Sequence, residues 1–323
     1  MNPSMKALFT AQIVAEAAQR YSFKPNELRL LGNNQNYTFG NSNYIIRITH
    51  SSHRCRELIQ GELEWIQYLA DKNVPVSSPV KSVNGERIEM LDGFIVVAFD
   101  KALGSPWTDA ITQNEEFEKL GSVIGRMHAV TKNYIPSSQE IERFTWDDNA
   151  LLRDFMSNVP TSQELVITHF ESLMQRVRKL PRECESFGLI HGDFCFGNYA
   201  VQPDGNITVF DFDECQYGWF MQDIAVNLFY GIAVPNPNED VVSFARRYLT
   251  SFFEGYYKEN RIDYKLLQDL PLFLDMRQVI LYSALYRNGN LGSLDYWSQE
   301  FLKRARHNME NNLSMIEMDI LNF

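Results

Sequence analysis

The chain has 323 residues, 45% of them hydrophobic and 13% aromatic, with a net charge of −11. Such length and apolar content allow a large packed core and exclude a disordered chain. The acidic balance excludes a nucleic-acid ligand, whose phosphates demand a basic surface, and is compatible with a cationic small molecule.

No apolar run approaches the ~20 residues that span a bilayer; the best is Phe94 to Phe99, so no membrane partner is expected. Residues 1–20 set Leu8, Ile13, Val14 and Ala17 among polar neighbours. That spacing predicts an amphipathic helix, not the continuous apolar core of a secretory signal, and a cytoplasmic chain is expected. Cys55, Cys184, Cys195 and Cys215 lack CxxC or CxxH spacing and read as free thiols.

A β-rich stretch follows. ELRLL (27–31), NYTFG (36–40) and NYIIRIT (43–49) have strand composition, with GNSN (40–43) as a tight turn. A helix is expected from about Arg54 to Asp71, with Leu58, Leu63, Ile66 and Leu69 on one face. Asn84-Gly85 and Asp92-Gly93 are hairpin signals, and FIVVAF (94–99) is apolar enough to be buried on both faces. KALGSPW (101–107) reads as a linker. Beyond it, helices are expected around 114–131, 162–179, 219–232, 238–258, 263–288 and 293–314. One short β-hairpin, FGLIH and NYAV…NITVF about Pro203-Asp204-Gly205, interrupts them.

The chemistry concentrates in residues 189–218, LIHGDFCFGNYAVQPDGNITVFDFDECQYG. Asn198 follows Asp193 by five positions, and Asp211 and Asp213 end a β-forming run. Phosphoryl transfer needs a carboxylate beside the incoming hydroxyl, to orient it and take its proton. It also needs hard oxygen ligands for magnesium, which an Asn amide and an Asp carboxylate supply. A hairpin between Asn198 and Asp211 would return both to one end.

The ordered set HGDxxxxN, hairpin, FDFD resembles the aminoglycoside phosphotransferase and choline kinase superfamily, distant relatives of the protein kinases with their HRDxxxxN loop and DFG motif. The resemblance runs over nearly the whole chain, including RMHAV at 126–130. It implies an α+β, bilobal protein-kinase-like fold. The small antiparallel β-rich N-lobe, 1–102, would bind nucleotide, and the larger, mainly helical C-lobe, 103–323, would hold catalytic and substrate groups. ATP and Mg2+ are the implied cofactors. Asp193 is then the catalytic base, Asn198 and Asp211 the metal ligands, and His191 a brace for the loop. Asp213 would assist the metal or face the substrate, and Asp223 would cap the helix after Tyr217-Gly218.

In the β-rich part, Arg47 stands where kinases carry a phosphate-pairing Lys. Arg keeps the charge and can bind phosphate bidentately, the alternative being an exposed strand Arg. Glu62 is its expected partner, with Glu64 on a different helical face as the alternative. The loop at 31–39 would lie over the phosphates without the glycine-rich pattern. There Asn36, with Asn33 and Asn34, either donates to phosphate or simply forms the turn. Phe99 to Ala102, including Lys101, is the expected hinge offering backbone bonds to adenine. His128 reads as a core or cap histidine. Cys195 and Cys215 flank the motif without a role, and Trp219, Phe220, Phe229 and Tyr230 read as core aromatics.

The expected function is ATP-dependent transfer to a hydroxyl of a small molecule: an amino alcohol, hydroxy amino acid, sugar or aminoglycoside. Gly192 replaces the Arg of regulated protein kinases, and few residues separate Asp211 from Trp219, leaving little room for an activation segment. A bacterial stress-type Ser/Thr protein kinase is one alternative. A non-catalytic nucleotide-binding or spore-coat-like relative is another, disfavoured because such a scaffold has no physical need for Asp193, Asn198 and Asp211 together.

Overall fold

A computed structural model describes residues 8–106, 114–233 and 239–319. Residues 1–7 of the expected first helix, residue 107 of the expected linker and residue 238 of a later expected helix lie outside the described residues. Helix α1 (Ala11–Arg20) starts where the Thr10 hydroxyl accepts from the Ile13 amide, and it buries Ile13, Ala17 and Ala18. Strands β1 (Arg29–Gly32), β2 (Tyr37–Gly40) and β3 (Tyr44–His50) follow. The turn between the last two is fixed by Asn41, whose Oδ1 accepts from the amides of Asn43 and Tyr44 at 2.8 Å each.

Helix α2 (Arg56–Asp71) buries Ile59, Leu63, Ile66 and Leu69; Leu58, expected on that face, is only half-buried. Then come β4 (Pro79–Val80), β5 (Glu89–Leu91) and β6 (Phe94–Asp100). Asp92 and Gly93 join β5 to β6 with φ of 46° and 83°, the doubly positive turn that matches strand twist. Asn84-Gly85 also lies in a turn, closed by the Ser82 amide on the Glu86 carbonyl at 2.7 Å, but the strands on either side, β4 and β5, each pair with β6 and make no hairpin. The sheet is antiparallel in the order β1-β2-β3-β6-β4, with β5 also on β6. Strand β6 is central, and Phe94 to Ala98 are each 0% exposed, as a continuous apolar run requires.

Past the two-residue strand β7 (Ser105–Pro106) the chain is mainly helical: α3 (Asn114–Thr131), α4 (Ala150–Arg153), α5 (Phe155–Asn158) and α6 (Glu164–Val177). Four short strands follow, β8 (Phe187–Ile190), β9 (Tyr199–Val201), β10 (Ile207–Val209) and β11 (Gln216–Trp219). The chain closes with α7 (Phe220–Ile232), α8 (Val241–Glu259), α9 (Leu270–Arg287) and α10 (Tyr296–Asn311). The pairing departs from the expected single hairpin. Strand β9 pairs with β10, but β8 pairs with β11, which takes Trp219, the residue expected to begin a helix. Tyr217 and Trp219 are β-formers, and their ladder with β8 holds them extended up to the first residue of α7.

These elements form two compact units, each discontinuous in sequence: 1–105 with 134–143 and 199–213, and 106–133 with 144–198 and 214–323. In the first, the β9–β10 hairpin is docked through Ser77 N to Val209 O at 2.9 Å and Val209 N to Pro75 O at 2.8 Å. In the second, α3 and α8 approach so closely that a Cβ on Gly121 would sit 1.9 Å from the Phe252 carbonyl oxygen.

Within that second unit His169 of α6 meets Asp275 of α9 at 2.9 Å and Asn312, the left-handed cap of α10, at 3.2 Å. Burial alone lowers the His169 pKa, but the bonds and charge of Asp275 outweigh it and hold the group above the ordinary 6.5. A group raised on folding stabilises fully below its unfolded pKa and less as pH rises through the folded value. Thermal melts should therefore show His169→Gln furthest below the unmodified chain at about pH 5.5, with the gap narrowing toward about pH 8.5. A gap that stays constant over that range would refute the charged pair.

Candidate active site

The loop after β8 owes its shape to α7. Asp223, 0% exposed, accepts from the backbone amides of His191 and Gly192 at 2.8 Å each. One turn on, Asn227 donates to the Phe194 carbonyl at 3.3 Å and accepts from Tyr248 at 2.8 Å. Asp223 does not cap its own helix, as the sequence reading expected: the N-cap is Trp219, which makes no side-chain cap bond. A buried carboxylate takes the amides that a tight loop leaves unpaired, and the loop, not the helix end, presents them. Gly192 sits at φ 78°, and a Cβ there would lie 2.3 Å from the Glu214 carbonyl oxygen, so only glycine fits.

His128, wholly buried, lies 3.3 Å from Asp223 and 3.0 Å from the Tyr256 hydroxyl. Burial pushes its pKa below the ordinary value, against the opposing pull of Asp223. His191 is also wholly buried, and its Nδ1 accepts from the Asp193 amide at 3.3 Å.

Asp193 itself is half-buried. Its Oδ2 accepts from Asn198 Nδ2 at 3.1 Å, and the same amide donates to the Asp193 carbonyl at 2.8 Å. Both bonds use the Asn198 nitrogen, and neither uses its carbonyl oxygen. Asp193 Oδ1 receives Arg277 Nη2 of α9 at 2.5 Å, and that nitrogen also meets the Tyr230 hydroxyl at 2.5 Å.

No motif marks Arg277, and the helical spacing of Tyr230 places it with the core aromatics. Trp219, Phe220 and Phe229 are indeed buried, but Tyr230 is half-buried, with the Arg277 guanidinium 5.3 Å from its ring centre. An Arg in the mainly apolar stretch of α9, with Asp275 and Gln278 beside it, was the available signal.

In the sheet-bearing unit, Arg47 and Glu62 form a two-armed ion pair at 2.8 and 2.6 Å, 4% and 0% exposed. Burial pulls the Arg47 pKa down, yet Glu62 and Asp213 outweigh it and hold it above the ordinary value. Its Nε is buried without a hydrogen-bond partner, and its guanidinium lies 5.4 Å from the Phe99 ring centre. Glu64 points elsewhere, accepting from Tyr134, the Ser137 amide and the Ser137 hydroxyl, and so ties residues 134–143 to α2.

Asp213, 5% exposed, accepts from Asn36 at 3.1 Å and lies 3.2 Å from His53 and 3.4 Å from Arg54 Nε. Its carbonyl accepts from Arg143 at 2.6 Å. Burial would raise its pKa, but the His53 hydrogen bond with the Arg54 and Arg47 charges holds it well below the carboxylate range. His53, Arg54 and Arg143 carried no sequence signal, since their shared target is remote in the chain. Asn36 also accepts from Thr49 at 2.8 Å, so its side chain braces the loop against Asp213. Asp211 is exposed at φ 64°. Lys101 stands apart: its amide donates to Asn43 O at 2.8 Å and its Nζ to Asn41 O at 3.1 Å. Among the described residues, no three His, Cys, Asp or Glu side chains gather as a cation site, and no helix is long and apolar enough to cross a membrane.

Comparison with known proteins bears on this geometry. A model of the phosphotransferase enzyme family matches residues 28–259. Amicoumacin kinase of Bacillus subtilis (strain 168) is 33% identical over 324 residues, 97% of this chain and 96% of that protein. A solved amicoumacin kinase in complex with AMP-PNP, Ca2+ and Ami superposes with a TM-score of 0.93 at 31% identity, covering 99% of each chain. A microcompartment-associated aminopropanol kinase shares the fold, with a TM-score of 0.72 at 21% identity over 93% of this chain and 95% of that one. The fold is the α+β, protein-kinase-like one, with an antiparallel sheet toward the N-terminus and a mainly helical remainder.

Glu62→Gln keeps the shape of the Arg47 partner while leaving a buried guanidinium without its nearest counter-charge. The expected loss is about 3–5 kcal/mol in urea unfolding. A loss under about 1 kcal/mol, the worth of an exposed pair, would mean that water screens this one.

Proposed function

The chain belongs to the phosphotransferase enzyme family and is an ATP-dependent kinase of small molecules, and we propose that Asp193 is the base that receives the proton of the acceptor hydroxyl. The observation that carries this reading is the Asn198 bond to the Asp193 carboxylate, on a loop clamped by Asp223. A carboxylate fixed in this way aims one oxygen at an incoming hydroxyl without reorganising. His191 steadies the loop from beneath.

Asn198, through its carbonyl oxygen, and Asp211 would hold Mg2+, and both are the hard oxygen donors which that ion prefers. When bound, the ion offsets charge on the nucleotide phosphates. Residues 1–102 would carry the nucleotide and 103–323 the catalytic and acceptor groups. Arg47, oriented by Glu62, keeps its Nε free for phosphate. Asn36, fixed by Asp213, holds the loop above it, and the backbone at Phe99 and Lys101 would meet adenine. The Lys101 amide is committed to Asn43, so that contact falls to carbonyl groups. ATP supply puts the reaction in the cytoplasm. Amicoumacin, named for the 33% identical relative, is the first acceptor to assay.

Asp193→Asn keeps size and polarity but removes the proton acceptor. Turnover of amicoumacin with Mg-ATP should fall about 10²- to 10⁴-fold while the Mg-ATP affinity stays within a few-fold. Unchanged turnover would sink the assignment, and a loss confined to nucleotide affinity would move Asp193 to the metal site.

The proposed metal ligands have their own test. Mg-ATP should raise the melting temperature well above the values seen with Mg2+ alone or with ATP in excess chelator, because this ion prefers substrate phosphates and water to a closed protein cage. Equal stabilisation by chelated ATP would remove Asn198 and Asp211 from the metal site.

A further inference from the structure

Arg277 is a cation buried in an apolar helix, 8% exposed, and both of its hydrogen bonds leave from one nitrogen, Nη2. Its Nε is buried without a partner. A guanidinium carries five N–H donors and no acceptor, so a group held this way retains donor capacity that a purely structural Arg would have spent. It is also held rigidly: Tyr230 takes one bond and lies 5.3 Å beneath the charge. Trp297 stacks on Tyr230 at 6.1 Å and 21°, and both rings are half-buried.

A hydroxyl that donates to Asp193 must come within about 2.6–3.2 Å of its carboxylate. Nη2 of Arg277 is already 2.5 Å from Oδ1 of that group. The carbon adjacent to the one bearing the reacting hydroxyl therefore arrives beside a fixed, poorly hydrated positive charge. An oxygen on that carbon gains a charge-assisted hydrogen bond there. An ammonium at the same place finds only donors on Arg277 and no acceptor to bond.

We propose that Arg277, steadied by Tyr230, reads the acceptor, selecting molecules with a hydrogen-bond-accepting oxygen on the carbon adjacent to the one that bears the phosphorylated hydroxyl and rejecting those with an ammonium there. The proposal rests on Asp193 being the base. It narrows the acceptor classes open to the sequence: the −11 net charge is compatible with a cationic molecule, but its cationic group must lie away from the reacting carbon.

The test uses the full chain, Mg-ATP and four probes on one carbon frame: lactamide, lactate, propane-1,2-diol and 1-amino-2-propanol. Each is assayed as an acceptor and as a competitor of amicoumacin phosphorylation. The unmodified chain should favour the oxygen-bearing probes over the amine by about tenfold or more. Arg277→Met should bring that ratio to within about twofold and raise the acceptor KM, with the KM for Mg-ATP within about threefold. Arg277→Lys should keep part of the preference, and it carries the test if the Met variant does not fold. Equal use of the amine by the unmodified chain would overturn the proposal, as would a preference that survives Arg277→Met. So would an equal kcat loss on all probes at unchanged KM, which would make Arg277 only a positioning residue for Asp193. Neither transfer to nor inhibition by any probe would also overturn it. An active Asp193→Asn enzyme with an Arg277-dependent preference would remove the base assignment and leave acceptor recognition standing.

Discussion

A carboxylate stripped of water must find its hydrogen bonds in the protein, and Asp223 finds them in the amides of His191 and Gly192. Those bonds fix the two residues that precede Asp193, so the direction of its side chain follows from a group thirty positions later in the sequence. The clamp works only because Gly192 can take a positive φ against the Glu214 carbonyl, and because His128 and Tyr256 close the far side of the buried charge. Loop, helix and histidine are therefore one construction, and changing any member reaches Asp193 through the others.

Charge is buried in the same manner elsewhere. Arg47 with Glu62, and Asp213 with Arg54, hold ionised groups where desolvation opposes them and only a counter-charge makes them tolerable. Apolar residues of equal volume would fold at least as well in such places. What such charges supply is a preset field and fixed donors that need no reorganisation. Arg277 differs in one respect, since its counter-ion is the proposed base itself.

Reading the sequence succeeded where the physics is local. Asp193 and Asn198 are five residues apart, and one loop brings their side chains into contact. Asp92-Gly93 met the conformational demand of its hairpin, and the apolar run of β6 predicted the central strand. Reading failed where a partner comes from afar. Asp223 has the composition of a helix cap, and only the tertiary structure shows that it faces a loop. Tyr230 shares its helical spacing with true core residues, so periodicity alone could not separate them. Proximity in sequence points β8 to the nearer hairpin, whereas its partner is β11, in register from Gln216 on Ile190 to Trp219 on Phe187.

The first unit is assembled from three stretches, with the second unit's segments threaded between them. A ribosome delivers the chain in order at about 5–20 residues per second, so its first 105 residues wait several seconds for the rest. Until residue 213 emerges, His53 and Arg54 have no carboxylate to meet, and the segment at 75–77 lacks the hairpin that docks on it. By then α3 and α6 have already been made. The nascent sheet is thus an unfinished surface through most of synthesis, dependent on chaperones or on speed, and a premature stop before Asp213 leaves neither unit complete.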